Sequence, residues 1–316
     1  RILKDLIVKK NIKDISVEEF IVNRFGKGVH DNLFEPFLKG VYAGNTRHMS
    51  AKYSLKNLWK LQLSYRSLII GFLFSKKNKK SEIIYFKNGF NQLIESIKNK
   101  LNGNIDCGNK IVSIEKKENY FLVCTNKKEK YICNKIYFTV PSYSLSIIKF
   151  IGLKLPNFNN VRYNPIDVIH LGFKRKNAND KISGFGLLTR KVDNKNFLGV
   201  LFNSEIFPNV CSKKNHLITV LLGGDDQKDI VNFNEKEILE NIKNEMKGIF
   251  NIKSFDFQKH YRWRKGIPSY NLDHGKLMKE IKDFNKKEPN LFFLGNYIDG
   301  VSVGDCILKS YNCINN

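Results

Sequence analysis

The sequence predicts a mixed α+β or α/β fold, in two regions that trade chain back and forth, and three observations carry that expectation. Short β-rich runs separated by charged turns cluster at 111–114, 120–125 and 136–140, the last ended by Pro141. A second series of strand-like runs, DVIHLGF, GFGLLT, FLGVLF and LITVLLGG, fills residues 165–224 and leads into a helix at 235–250. There Ile238, Leu239, Ile242, Met246 and Ile249 keep an apolar helical period. The chain then closes on LFFLGNYIDGVSVGDCILKSYNC, residues 291–313, in which an apolar strand breaks at a glycine and a loop opens into a helix.

The N-terminal part reads as helical. VEEFIVNRFG (17–26) is a short helix ended by Gly26, and 29–41 is a second, with Leu33, Phe34, Phe37 and Leu38 on one face. The stretch 54–74 is amphipathic and then apolar, far too short in its apolar part to span a bilayer, and KKNKK follows at once. An apolar helical face beside a lysine cluster suits an interfacial, monotopic element as well as it suits a core helix.

Composition narrows the class. With 316 residues, 42% hydrophobic and 12% aromatic, the chain can bury a sizeable core and reads as roughly two domains. Its 54 Lys+Arg against 30 Asp+Glu leave a net +24, with an isoelectric point near 9.7. Such a balance favours anionic partners, but the lysines and asparagines are spread over surface loops (KKNKK, NKKEK, FNKKEPN). No basic helix or aromatic-interleaved stripe emerges, so no nucleic-acid partner is expected. Six cysteines show no CxxC spacing and read as reduced packing residues. The six histidines are scattered without HxxxH or HxH pairs, so no metal site is expected. The chain starts within RILKDLIVKK without an initiator Met and reads as part of a longer protein.

The terminal stretch has its own physical logic. Leu291, Phe292, Phe293 and Leu294 form a buried strand, Gly295 ends it, and Gly300 and Gly304 permit turns and close backbone approach. Ile307, Leu308, Tyr311 and Ile314 then recur at helical spacing. A helix N-terminus presented in this way favours an anion or an electron-rich carbonyl. A strand–turn–helix with packing glycines and no ligand fits the same residues.

Several stretches, taken together and in order, resemble the FAD-dependent protoporphyrinogen oxidases. They are EPFLKGVYAGNTRHMSAKYSLKNLWKL (35–61), FKNGFNQLIESI, KIVSIEKK with KIYFTVPSYSLS, GFGLLTRK, FLGVLFNSEIFPNV, VLLGG, RWRKGIPSYNLDH and GNYIDGVSVGDCI. The resemblance implies an FAD-dependent oxidoreductase fold that oxidises protoporphyrinogen IX to protoporphyrin IX, the penultimate step of haem synthesis. Oxygen or a quinone would accept the electrons. It implies a helical membrane-binding and substrate-entry region at 1–85 and a return segment of the flavin domain at 86–145. A mixed-sheet substrate domain at 146–285 and a flavin-binding strand–loop–helix at 286–316 complete the order.

By position in the motifs, the cofactor residues are Ile111, Trp263, Gly295, Asn296, Gly300, Val301, Ser302 and Val303. The substrate clamp is Leu188, Leu201 and Leu221, the last a departure from the aromatic expected there. The family's N-terminal GxGxxG fingerprint is missing from these residues. No general acid or base stands out. The implied setting is the mitochondrial inner membrane, peripheral and monotopic, with the plastid as the alternative, and a homodimer is admitted. Competing readings are an amine oxidase or desaturase of the same fold, or a non-catalytic basic protein bound to membrane or nucleic acid.

Overall fold

The computed structural model of the chain describes residues 2–75, 84–101, 103, 105–178, 182–207 and 209–315. In chain order, helices α1 (Val17–Phe25), α2 (Glu35–Tyr42), α3 (Lys56–Tyr65), α4 (Leu68–Phe74) and α5 (Asn91–Lys100) come first. Strands β1 (Ile111–Lys116), β2 (Phe121–Thr125), β3 (Lys130–Cys133), β4 (Ile136–Phe138) and β5 (Lys149–Ile151) follow. Then come β6 (Tyr163–Lys174), β7 (Gly186–Leu188), β8 (Gly199–Leu201), β9 (Asn215–Gly223) and helix α6 (Glu235–Phe250). Strand β10 (Phe257–Pro268), helix α7 (His274–Lys287), strand β11 (Leu291–Phe293) and helix α8 (Val303–Asn315) complete the chain. It divides into two compact units, one of residues 1–76 and 162–272, the other of 77–161 and 273–316.

The first unit is built on an antiparallel sheet in the order β10–β6–β9–β8–β7. Alternation along β6 sends Ile169, Leu171 and Phe173 to one face, where they join Ile218, Val220 and Leu222 of β9. Helix α6 covers that face with Ile238, Ile242, Met246 and Phe250, the period read from the sequence. Asn234 caps its start by accepting from the Lys236 N–H, and Asn251, at φ +51°, ends it in the left-handed region. Asp167 lies on the same face and is fully buried. Arg262 of β10, its partner in register, meets the carboxylate with Nε at 3.0 Å and a terminal nitrogen at 2.7 Å.

The N-terminal helices of this unit pack Val17, Phe20, Ile21, Leu38, Met49, Ala51, Trp59 and Leu68 into a second core. Ser16 caps α1, accepting from the Glu19 N–H at 3.1 Å, an N-cap signal the sequence reading did not use. The expected single face over 29–41 is corrected. Leu38 is buried and Phe34 packs on the core, but Leu33 and Phe37 are exposed at 62% and 54%. A π-helical turn at His30–Phe34 widens the helix just before α2 and rotates its two halves out of a common face.

The stretch 54–74 is likewise not one helix. The chain breaks at Arg66, φ +66°, and Ser67 caps α4. What forces the break is a buried polar knot. Arg24 donates to Asp5 at 2.6 Å, to the Arg66 carbonyl at 3.0 Å and to Gln62 Oε1 at 3.1 Å. The Asp5 carboxylate also accepts from the Ser67 hydroxyl at 2.6 Å and the Ile69 N–H at 2.9 Å.

In the second unit, β3–β2–β1 form an antiparallel meander with β5 added parallel to β1. Strands β11 and β4 pair in parallel, Leu291 with Ile136 and Phe293 with Phe138. Phe293 is the centre of an aromatic cluster. It stacks on Phe138 with ring centroids 5.1 Å apart and meets Phe158 at 4.8 Å and Phe284 of α7 at 5.4 Å. Strands β3 and β10 were not read from the sequence. Their lysines and arginines hide the strand signal, and pairing with β2 and β6 decides them. All six cysteines are free, as expected; Cys107 is exposed, against the packing role read for it, and the other five are half-buried.

Burial pushes the Asp5 carboxyl upward, but the bonds from Ser67, Ile69 and Arg24 more than reverse it and leave it below the usual carboxylate range. A depressed folded value means that this carboxylate stabilises the fold above its unfolded pKa and ceases to as pH falls through the folded one. Asp5→Ala strands the buried Arg24 charge, and denaturant unfolding should show a loss of about 3–5 kcal/mol. The deficit should shrink in acid, where wild type loses the same contribution.

Candidate functional site

Two grooves, one in each unit, gather the residues of interest. In the second unit, the chain leaves the C-terminal ends of the parallel pair β4 and β11 into adjacent loops. Thr139, Val140 and Pro141 follow one strand, and Leu294, Gly295 and Asn296 the other. With Val303 and Ile307 of α8 they line a groove of about 560 Å³. Crevices outside the carboxyl ends of parallel strands are where open α/β sheets bind ligands. Tyr297, fully buried, anchors the turn edge-on to Phe158 at 5.8 Å, and His274 Nε2 lies 3.3 Å from the Ile298 carbonyl.

The loop closes on α8 with a tight polar lock. Ser302 Oγ accepts from the Asp305 N–H at 3.0 Å and donates to the Asp305 carboxylate at 2.7 Å. Gly300, at φ +89°, lies so close that an added Cβ would sit 2.4 Å from the Asp305 Cβ. Asp305 therefore already complements part of the positive end of the helix. Burial first, and Asp305 second, push the Cys306 thiol above its ordinary range, which disfavours the thiolate. The apolar residues at helical spacing, Ile307, Leu308, Tyr311 and Ile314, are 55–68% exposed, so α8 presents an apolar face that no described residue covers.

In the first unit, the sheet face opposite α6 carries the other groove, of about 370 Å³. Leu188 of β7, Leu201 of β8 and Leu221 of β9 line it, with Phe37 and Val41 of α2 and Phe185 as further walls. The row Leu188–Gly199–Leu221 runs straight across three strands. Two glycines seat Leu188: a Cβ on Gly199 would lie 3.0 Å from its Cδ2, and one on Gly40 2.8 Å. The substrate leucines named from three separate stretches thus share one apolar surface.

The other named residues fall as follows. Gly295, Asn296, Val301 and Val303 line the second-unit groove, and Gly300 and Ser302 form the lock beside it. Ile111, first residue of β1, pairs with Thr125 and is half-buried. Trp263 belongs to the first unit, on the exposed edge strand β10, and is 59% exposed. Sequence reading missed one cluster, His30, Asp31 and Glu35, whose ligand atoms lie within 4.8 Å of one another. His30 commits its nitrogens to Asp31 at 2.7 Å and Thr46 at 2.9 Å, and Glu35 faces Lys39 at 3.4 Å, so the group is satisfied from within.

This architecture belongs to a known class. The sequence profile of the flavin containing amine oxidoreductases matches residues 4–313, and the chain is a member of that family, whose cofactor is FAD. Among curated relatives, it is 27% identical to protoporphyrinogen oxidase 2, chloroplastic/mitochondrial, of Arabidopsis thaliana, over 92% of this chain and 64% of that protein. It is 29% identical to the protoporphyrinogen oxidase of Dictyostelium discoideum, over 96% and 69%. The chain thus spans about two thirds of the length of these relatives. A crystal structure from Exiguobacterium sp. 255-15, provisionally named protoporphyrinogen oxidase, superposes with a TM-score of 0.82 at 16% identity, over 99% of this chain and 70% of that one. Putrescine oxidase superposes at 0.68 with 12% identity, over 95% and 67%. The fold is that of the FAD-dependent oxidoreductases, mixed sheets with helices.

The second-unit groove fits the ring portion of FAD. It is mostly apolar, it lies beside a helix start, and no basic side chain lines it. The absence of a glycine fingerprint and of cationic lining leaves the pyrophosphate without a site among the groove residues. The two loop glycines separate experimentally. Gly300→Ala should cost on the order of 1–3 kcal/mol, because it combines a left-handed backbone with a clash against Asp305. Gly304→Ala, whose Cβ meets nothing closer than 3.8 Å, should be neutral or stabilising by up to about 1 kcal/mol in denaturant unfolding.

Proposed function

We propose that this chain carries the substrate groove and part of the flavin site of an enzyme that oxidises protoporphyrinogen IX to protoporphyrin IX. The convergence of Leu188, Leu201 and Leu221 on one apolar groove supports this reading most strongly. A flat tetrapyrrole buried there gains roughly 25 cal/mol per Å² of apolar area removed from water. The aromatic surface missing at Leu221 is offered by Phe37 and Phe185 on the walls of the same groove.

Gly295, Asn296, Gly300, Val301, Ser302 and Val303 would hold the flavin ring edge, with Ile111 toward the adenine end. Bound FAD would supply the two-electron oxidant, regenerated by oxygen or a quinone. Compact unit 77–161 with 273–316 would be the flavin-binding part, and the mixed sheet of the other unit the substrate part.

The test is the growth of porphyrin fluorescence above autoxidation in the full-length, flavin-loaded protein, with oxygen and then a quinone supplied. Leu201→Ala should weaken substrate use by roughly 1–3 kcal/mol while sparing FAD content. Leu221→Phe should be tolerated. Coproporphyrinogen III, the compound in the name of a Bacillus subtilis relative that is 20% identical over 96% of this chain and 67% of that protein, is the control substrate. No excess fluorescence with either substrate and either acceptor would reject the reading.

We also propose peripheral attachment to an organellar membrane, mitochondrial or plastid. No described helix is long and apolar enough to cross a bilayer. Leu68, a residue of the apolar run, is fully buried and part of the core, so it cannot serve as a membrane contact. Phe72, Leu73 and Phe74 are 64–74% exposed at the end of α4, and Leu3 and Ile7 are each 72% exposed on the turn packed against it. The lysines Lys76, Lys77, Lys79 and Lys80 lie outside the described residues. Replacing Phe72, Leu73 and Phe74 by Ser should release the protein from anionic vesicles at unchanged flavin content. Unchanged vesicle binding would remove this patch from the membrane contact.

A further inference from the structure

The groove face of the five-strand sheet is apolar along one row and polar along the next. In the first row, Leu188, Gly199, Leu221, Val168 and Tyr261 stand side by side across β7, β8, β9, β6 and β10. In the second, Leu201, Thr219, His170 and Lys259 do the same. His170 therefore flanks Leu221, a lining residue of the groove, at the diagonal spacing of a sheet face, roughly 7–8 Å between backbones. The ring of Tyr261 stands edge-on to it, with centroids 6.0 Å apart.

Hydrogen bonding settles which nitrogen carries the proton. The Thr219 hydroxyl donates to Asn203 Oδ1 at 2.6 Å, so its one proton is committed. Its oxygen can then only accept from His170 Nδ1, 2.8 Å away. His170 is held as the Nδ1–H tautomer, and its Nε2 has no hydrogen-bond partner among the described residues. Burial lowers the pKa of the ring, which favours the neutral form. The titratable neighbours facing it are Lys259 and Tyr261 of β10, the ammonium lying 5.6 Å from the Tyr261 ring centroid. No described carboxylate bonds to the imidazole.

We infer that His170 is the proton acceptor for the substrate bound in this groove, taking a pyrrole N–H proton on Nε2 as the adjacent methylene carbon is oxidised. The inference rests on the porphyrinogen reading above. The N–H bond breaks, an Nε2–H bond forms and the imidazole becomes an imidazolium. The electron pair left on nitrogen joins the new conjugated system as the methylene carbon gives up a hydride, the oxidant being oxidised flavin. One proton and one hydride thus leave for each double bond gained. His170 is a catalytic residue in this scheme, and Thr219 and Asn203 are positioning residues.

Two measurements test it. In protein labelled with nitrogen-15 histidine, long-range proton–nitrogen spectra should show His170 as the Nδ1–H tautomer with a pKa below that of free imidazole. Thr219→Val should release that tautomer. In the flavin-loaded full-length protein, His170→Gln should lower kcat by about 10²–10⁴-fold, with KM changed less than about threefold and flavin content unchanged. Wild-type kcat should fall as pH drops through the pKa of His170, and His170→Gln should lack that limb. Imidazole added to His170→Ala should restore turnover, which a merely structural histidine would not allow. An Nε2–H tautomer in wild type overturns the inference, as does His170→Gln turnover within twofold of wild type with the same acid limb. Wild type inactive on both porphyrinogens rejects the functional reading instead, and this inference with it.

Discussion

The alternation of β6 between two faces is the constraint on which the first unit depends. Twelve residues long and paired on both edges, β6 has no freedom to slip, because a shift by one residue would turn Ile169 and Leu171 outward and His170 inward. One face is sealed by α6 and the aliphatic core. The other is thereby left to form the groove, with α2 along its side. At the edge of the sealed face the buried Asp167–Arg262 pair closes the sheet against β10, and His260 Nε2 lies 3.0 Å from the same carboxylate. Such a pair adds little net stability over a hydrophobic one, but each partner needs the other, so it penalises any other register of β10.

The second unit is organised by aromatic packing. Phe138, Phe158, Phe284 and Tyr297 surround Phe293 and its loop from four directions of the chain. The backbone between Gly295 and Ser302 can then take an irregular path, because its anchors are rigid. The lock of Ser302 on Asp305 sets where α8 begins, and with it the wall of the groove. The helix start that reads from the glycine loop and helical spacing like an anion site is already partly complemented by its own carboxylate.

Fold and substrate are separate questions for this protein. Putrescine oxidase shares the architecture at 12% identity, so the arrangement of sheets does not select a substrate. Selection lies in the surface that a few strands present. In the groove of the first unit that surface is made of leucines, with Phe37 and Phe185 on the walls. The net charge of +24 plays no visible part in this surface, since lysine and arginine are absent from the groove lining.

The sequence by itself determined the elements whose burial follows a local period. The helix at 235–250, the strands of the 165–224 series, the helix over 17–26 and the terminal strand–loop–helix all follow from local spacing. The motif positions of Leu188, Leu201 and Leu221 were legible too, though not their shared surface, which needs three strands in register. Tertiary structure alone decided the rest. Charged β10 became a strand because β6 offered it a partner, and the 54–74 run broke because Asp5, 62 residues before Ser67, captures Ser67 and Arg24. The setting of His170 was invisible for the same reason. Its tautomer depends on Thr219 and Asn203, which only strand pairing brings to it, and a linear sequence holds no record of where a hydroxyl spends its one proton.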